Sequence, residues 1–269
     1  MWIKICSIFF MATKTPAAAL SATRFRLGRL FIDAIAFDDA VDRIMELAKT
    51  AKGAYVVTPN SDHVVRAESD DGFVALCAGA DLVLADGMPV VWAGRLMHQP
   101  VEKISGSDLT PRLCAAAAKQ GVGIFLLGGM PGDADVAADN LRVVYPGLNV
   151  AGTYCPPFGF EHDTAECDRI VAAINGSGAR LLFVGVGSPK QEAWIARHRH
   201  RLACGVSLGV GITISFIAGR TKRAPLIMQK TGTEWIYRLI QGPKRLTGRY
   251  LRDFAIIPIA WRSIKAARR

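Results

Sequence analysis

The sequence predicts an α/β chain: a Rossmann-like, mostly parallel sheet with helices on both faces, followed by a basic helical C-terminal appendage. Three observations predict it. Short apolar runs alternate with helix-period stretches six times between residues 54 and 210. Each run stops at Gly, Pro, Asn or Asp. The alternation ends near residue 218, where aromatic and basic residues take over. Continuous apolar strands separated by helices imply a parallel sheet covered on both faces.

The elements follow in order. Phe37 to Lys49 has Ala40, Val41, Ile44, Met45 and Ala48 at helical spacing, with Asp38 as a candidate cap. Ala54 to Thr58 is a buried strand ending in Pro59-Asn60, and one helix is expected from Ser61 to Ala78. Leu82 to Ala85 is the second strand, stopped by Asp86-Gly87. Helices follow at Val90–Met97 and Leu109–Gln120. Gly123 to Leu127 runs into Gly128-Gly129 and a helix reaching Tyr145; Asn149 to Gly152 is the fourth strand. After a helix at Cys167–Asn175, Arg180 to Val184 ends in Gly185-Val186-Gly187. A helix from Pro189 to His200 leads to the last strand, Gly205 to Val210.

Composition narrows the function classes. With 51% hydrophobic and 21% charged residues, the chain is a packed one, not a disordered or fibrous one. The net charge of +10 is concentrated. Residues 219–269 hold 13 Lys and Arg against 2 Asp and Glu, and the rest of the chain holds 20 against 21. A basic tail on a near-neutral body points to a polyanionic partner: anionic lipid, nucleic acid or pyrophosphate. The six cysteines form no CxxC pair and read as reduced cytosolic thiols. Residues 1–24 read as a disordered leader, with Met1 or Met11 as the start. They lack the basic head, long apolar stretch and cut site of a signal peptide. No run of 18 apolar residues occurs, so no membrane-spanning helix is expected. The domain reading is a leader at 1–24, a catalytic body at 25–218 and an appendage at 219–269.

In parallel sheets ligands bind beyond the carboxyl ends of the strands. The informative residues are therefore those just after each strand. Asp86 can be a general base on a sugar hydroxyl, or a turn residue capping the next helix; position alone does not choose. Thr58 and Asn60 offer a hydroxyl and an amide, or ordinary turn chemistry. Gly128-Gly129 and the Gly187 turn leading to Gln191 look like phosphate cradles, although a glycine turn after a strand is often only a tight connection. Gln191 lies one turn into its helix, where its amide can reach a ligand. Asp133 and Asp135 begin a helix and fit the helix dipole better than a metal. No His or Cys spacing suggests a ligand set, so no metal is expected.

Taken in order, these segments resemble one known family. Thr58-Pro59-Asn60-Ser61-Asp62-His63, Ala85-Asp86-Gly87-Met88-Pro89 and Ser105-Gly106-Ser107-Asp108 are similar to three successive blocks of the WecG/TagA/CpsF glycosyltransferases. Leu127-Gly128-Gly129, Gly152 to Phe158, Gly187-Ser188-Pro189-Lys190-Gln191-Glu192, Gly209-Val210-Gly211, Arg223-Ala224-Pro225, Glu234 to Leu239 and Pro243-Lys244-Arg245 continue the match. The resemblance spans roughly residues 27 to 255. It implies an inverting, metal-independent hexosyltransferase without a cofactor. Its donor would be a UDP-sugar of N-acetylmannosamine, N-acetylmannosaminuronic acid or glucose type. Its acceptor would be a sugar linked to undecaprenyl diphosphate, in cell-envelope or exopolysaccharide synthesis. By resemblance Asp86 falls at the catalytic base, and Thr58, Asn60 and Gln191 at substrate-binding positions. Lys103 stands where an arginine is usual, keeping the charge without the bidentate fork. Arg238, Arg245 and Arg249 belong to an appendage that closes over the site and meets the membrane. The expected location is the cytoplasmic, inner face of the cell membrane, held peripherally by anionic lipid, with a homo-oligomer left open. Ser215 replaces a usual aspartate, Gly242 a usual glutamate and Gly248 a usual arginine. The alternative from the residues alone is a nucleic-acid-binding module built on the basic tail; the family reading predicts no nucleic-acid partner.

Overall fold

The computed structural model describes residues 23–231 and 233–268, and the backbone alone at 230, 231, 238, 244–246 and 249. The expected leader lies outside these residues except for Thr23 and Arg24. The apolar runs become strands as expected, in a six-stranded, all-parallel sheet. Its strands are β3 (Ala54–Val57), β4 (Leu82–Val83), β5 (Ile124–Gly128), β6 (Val150–Tyr154), β7 (Leu181–Gly185) and β8 (Val206–Gly209). Their order across the sheet is β4-β3-β8-β7-β5-β6. The chain winds outward from β5 to β6 and returns to β7 on the other side of β5, so a switch point lies between β5 and β7. The last strand, β8, inserts between β3 and β7.

Alternate strand residues feed two cores, which is why the strands read as unbroken apolar runs. Tyr55, Val57, Phe125, Leu127, Leu182 and Val184 face one core. Val56, Ile124, Leu126, Leu181, Phe183, Val206 and Leu208 face the other. The second core is covered by α1 (Phe37–Thr50), α5 (Gly106–Gln120), α6 (Asp133–Val144) and α9 (Thr213–Ile217). The first is covered by α2 (Ser61–Ala67), α3 (Asp71–Ala78), α4 (Met88–Leu96), α7 (Thr164–Ser177) and α8 (Lys190–His198).

The structure corrects two local expectations and adds one element. The single helix expected over 61–78 is two, because the Asp70 side chain accepts the Phe73 N–H at 2.9 Å and caps a fresh start. Asp38 does not cap α1. The helix begins after Ala36, Asp38 lies in its first turn, and the Glu102 carboxylate takes the Phe37 N–H at 3.0 Å. An antiparallel hairpin of β1 (Thr23–Leu27) and β2 (Leu30–Ala34) precedes the sheet. Its tight turn requires Gly28, at φ +59°.

The C-terminal segment is helical, as expected: α10 (Leu226–Thr231), α11 (Glu234–Gln241), α12 (Pro243–Asp253) and α13 (Ile256–Ala267). Helix α12 packs on α2, and α13 lies across α2, α4 and β1. Ile256 and Ile259 of α13 are buried in the first core beside the hairpin. Each such side chain contributes about 1.5–3 kcal/mol. Ser263 Oγ accepts the Gly28 N–H at 2.9 Å, and a Cβ on Gly28 would lie 2.8 Å from Ile259. The close seat of α13 thus uses the same glycine that the hairpin turn needs. Among the described residues, no helix is long and apolar enough to cross a membrane.

Candidate functional site

Thr58, Asn60, Asp86, Gly128, Gly129, Gly187 and Gln191 lie at or just beyond the carboxyl ends of the strands. Past β3 and β4 the parallel ladder continues: Leu84 N–H donates to Val57 O and Asp86 N–H to Pro59 O, both at 2.9 Å. These bonds hold half-buried Asp86 beside the Thr58-Pro59-Asn60 turn. Gly87, at φ +84°, turns the chain immediately afterwards, and Pro89 opens α4. Asp86 is therefore not the N-cap of that helix, which is Gly87. Asn60 does cap α2. Its Oδ1 accepts the His63 N–H at 3.3 Å while its own N–H donates to His63 Nδ1 at 3.1 Å. His63 Nε2 meets Ser188 Oγ, joining the end of β3 to the end of β7.

The glycines explain the close approach of the neighbouring strand ends. A Cβ on Gly128 would lie 2.6 Å from the Gly185 carbonyl. Gly129 N–H donates to Gly185 O at 3.0 Å, and the Met130 N–H is taken by Asp133 at 3.0 Å. Both amides are thus taken by protein acceptors, so neither is presented to an anion as the sequence suggested for this turn. Gly187, at φ +88°, has open space around it and leads through Ser188 into α8. Gln191 is buried on α8. Its Oε1 accepts the Gly211 N–H at 3.0 Å and its Nε2 donates to Glu192 Oε1 at 2.8 Å. The first of these bonds ties the loop after β8 to the first turn of α8, which follows the loop after β7.

Lys103 lies 3.2 Å from Asp108, in the first turn of α5. Asp108 also takes Arg223 at 2.6 Å, and Arg223 reaches Ser107 O at 3.3 Å and Glu234 of α11 at 4.0 Å. Burial pushes the Asp108 carboxyl up, but Arg223, Lys103 and the Ser105 hydroxyl outweigh it and hold it below the usual carboxylate value. A parallel arrangement stands at α6. Burial pushes Asp133 up, while hydrogen bonds from Ser215, Arg220 and the Met130 N–H bring it below its usual value. Ser215, where the resemblance leads one to expect an aspartate, donates to Asp133 at 2.5 Å. Asp135 accepts from Thr153. Among the described residues no three His, Cys, Asp or Glu side chains converge as a metal-ligand set.

Arg238, Arg245 and Arg249 lie on α11 and α12, and their side chains fall outside the described residues. Four contributors escaped the sequence reading of the site: His63, Ser188, Asp108 and Arg223. All lie inside the blocks that carry the resemblance, which was the available signal; nothing in their local pattern reveals their partners.

This arrangement offers a carboxylate at a strand end, a hydroxyl and an amide beside it, an open glycine turn entering a helix, and cations on an adjoining helical segment. It is chemistry suited to an anionic ligand that carries a hydroxyl-bearing group. The family model described as "Glycosyl transferase WecG/TagA/CpsF family" matches residues 25–269. The match covers all but the first two residues of the hairpin, the sheet and the C-terminal helices, and the chain belongs to the WecG/TagA/CpsF family of glycosyltransferases.

Proposed function

We propose that this glycosyltransferase moves a sugar from a UDP-sugar to a sugar linked to a polyprenyl diphosphate, with inversion and without a metal ion. The family acts in cell-envelope polymer synthesis. The observation that carries the reading is the placement of Asp86, held past the parallel strands beside Thr58 and Asn60 by the Pro59 carbonyl. In the proposed step the acceptor hydroxyl loses its proton to Asp86 as its oxygen bonds to the anomeric carbon. The bond from that carbon to the diphosphate oxygen breaks, and UDP leaves with the electron pair. Thr58 and Asn60 bind sugar hydroxyls. Gln191 ties the loop after β8 to the first turn of α8, and the Gly187 turn faces the diphosphate. Lys103 adds positive charge at the α5 end of the site. Charge developing on the diphosphate is offset by preorganised donors and by Arg238, Arg245 and Arg249.

Residues 25–218 are read as the catalytic body and 219–269 as an appendage serving both the site and the membrane. Support comes from the packing of α12 on α2, the helix that starts at the Thr58-Asn60 turn. Leu251, Phe254, Ile257 and Trp261 are exposed on the same segment as its basic residues. Rings and aliphatic chains beside cations suit a bilayer interface better than a nucleic acid, and attachment there is peripheral. The donor is one of the N-acetylmannosamine, N-acetylmannosaminuronic acid or glucose types.

The test is transfer to a short-chain lipid-diphosphate acceptor with a panel of UDP-sugars, using wild type and Asp86→Asn. The amide keeps the shape but cannot take the proton, so turnover should fall about 10²–10⁴-fold with donor affinity retained. Turnover close to wild type would remove Asp86 from the role of base. Co-sedimentation with anionic vesicles at low and high salt tests the attachment, which should weaken as salt rises.

A further inference from the structure

We propose that the Ser188 hydroxyl is a ligand-binding donor, aimed by His63, and that it binds an anionic oxygen of the donor's diphosphate. The inference rests on the reading of this site as a UDP-sugar site. A serine hydroxyl has one proton and two lone pairs, and normally rotates to suit its neighbours. At Ser188 that freedom is narrowed. His63 is 4% exposed and stacks on Phe73 with ring centroids 5.3 Å apart. Its Nδ1 accepts the backbone N–H of Asn60 at 3.1 Å, so Nδ1 carries no proton. A neutral imidazole has one proton, which then sits on Nε2. An imidazolium would oppose its Nδ1–H to the Asn60 N–H. Rotating the ring by half a turn would replace both nitrogens with carbons and lose both bonds.

The Nε2–H therefore donates to Ser188 Oγ, and one serine lone pair is occupied. The serine proton has no protein acceptor among the described residues, and Ser188 is exposed in the loop between β7 and α8. Its proton is thus available to an acceptor outside the protein. A free hydroxyl donor bonds most strongly to a charged oxygen, and a phosphate oxygen, which only accepts, meets that preference better than a sugar hydroxyl. The loop leads directly into the N-terminus of α8, where the helix field also favours negative charge. His63 is a positioning residue, acting through Ser188.

The experiment is calorimetric titration of UDP and uridine into wild type, Ser188→Ala, Ser188→Thr, His63→Gln and the Ser188→Ala/His63→Gln double variant. Ser188→Ala should weaken UDP binding about tenfold or more while leaving uridine binding unchanged, since a hydrogen bond to a charged group is lost. Ser188→Thr should restore most of the UDP affinity. His63→Gln should weaken UDP binding in the serine background and add little in the Ser188→Ala background, which a purely structural role for the ring would not produce. Equal UDP affinity in wild type and Ser188→Ala overturns the inference alone. Parallel loss of UDP and uridine in Ser188→Ala also overturns it. Additive losses from the two substitutions overturn the role of His63. Wild-type protein that binds neither ligand overturns the donor reading, and the inference with it. The serine variants change no core side chain, so they decide the matter even if His63→Gln fails to fold.

Discussion

Replacing Gly209 by alanine should damage the site through Gln191, which supplies the three atoms nearest to the added methyl. A Cβ at Gly209 would stand 2.5 Å from Gln191 Nε2, 2.9 Å from its Cδ and 3.1 Å from its Cγ. Ordinary contact needs about 3.5 Å, so the amide must retreat by roughly 1 Å. It has two bonds to lose: the one from Gly211 N–H at 3.0 Å and the one to Glu192 at 2.8 Å. Gln191 and Glu192 are both buried, so water does not replace those bonds. Each group left unpaired costs about 1–3 kcal/mol, and together the expected loss is about 3 kcal/mol. With a urea dependence of about 3 kcal/mol per molar, the unfolding midpoint should fall by about 1 M. UDP affinity should fall too, because Gln191 ties the loop after β8 to the first turn of α8. The decisive measurement is the cycle with Gln191→Ala. Once the long side chain is gone, the three nearest contacts of the added methyl go with it, and Gly209→Ala in that background should cost clearly less than in the wild type. A Gly209→Ala cost that is the same in both backgrounds would refute the steric argument.

Three other outcomes are expected. Transfer activity should survive EDTA; loss on chelation, with recovery on adding Mg²⁺ or Mn²⁺, would overturn the metal-free proposal. Asp108 lies below its usual value in the folded chain, so its contribution to stability is complete above the unfolded carboxylate value of about 3.9 and is lost as pH falls through the lower folded value. Arg223→Ala should flatten that acid dependence and cost about 3 kcal/mol at neutral pH by leaving Asp108 short of its partner, as acid and urea titrations would report. Ile259→Ala should lower the main unfolding transition by about 2–4 kcal/mol, because the side chain sits in the first core; an unchanged transition would mean that α13 unfolds separately from the body.

How much was legible depended on whether the signal was local. The six parallel strands were legible because burial on both faces leaves an unbroken apolar run. The hairpin carries a different signal, alternation and not an apolar run: Thr23-Arg24-Phe25-Arg26-Leu27 turns Phe25 and Leu27 inward and exposes the rest, over only five residues. The strand-end rule singles out Asp86, Thr58 and Asn60, which lie within three residues of the ends of β3 and β4. It did not reveal that Gln191 is fitted against Gly209 and Gly211, because that contact joins two separate turns. Nor did it reveal what Ser215 does: the hydroxyl is explained only by Asp133, 82 residues away.

The tail shows the same limit in its charges. Composition counts its cations as one block seeking an anion. Folding divides them. Arg220 is engaged by Asp133 at the start of α6, and Arg223 by Asp108 at the start of α5. Both acids lie in the first turns of their helices, where the helix field already favours them, so the arginines complete sites that the body provides. At the other end, Ile256 and Ile259 of α13 are buried in the first core, where the helix lies on the hairpin, α2 and α4. The segment is consequently tied to the body by ion pairs before α10 and by apolar packing after α12. Helices α11 and α12, which carry Arg238, Arg245 and Arg249, span the interval between those two attachments. That assigns different consequences to chemically similar substitutions. Changes at Arg220 or Arg223 should register first in stability, and changes at Arg238, Arg245 or Arg249 in transfer. Deleting residues 220–269 mixes the two and uncovers core, so single substitutions are the cleaner test of what the appendage does.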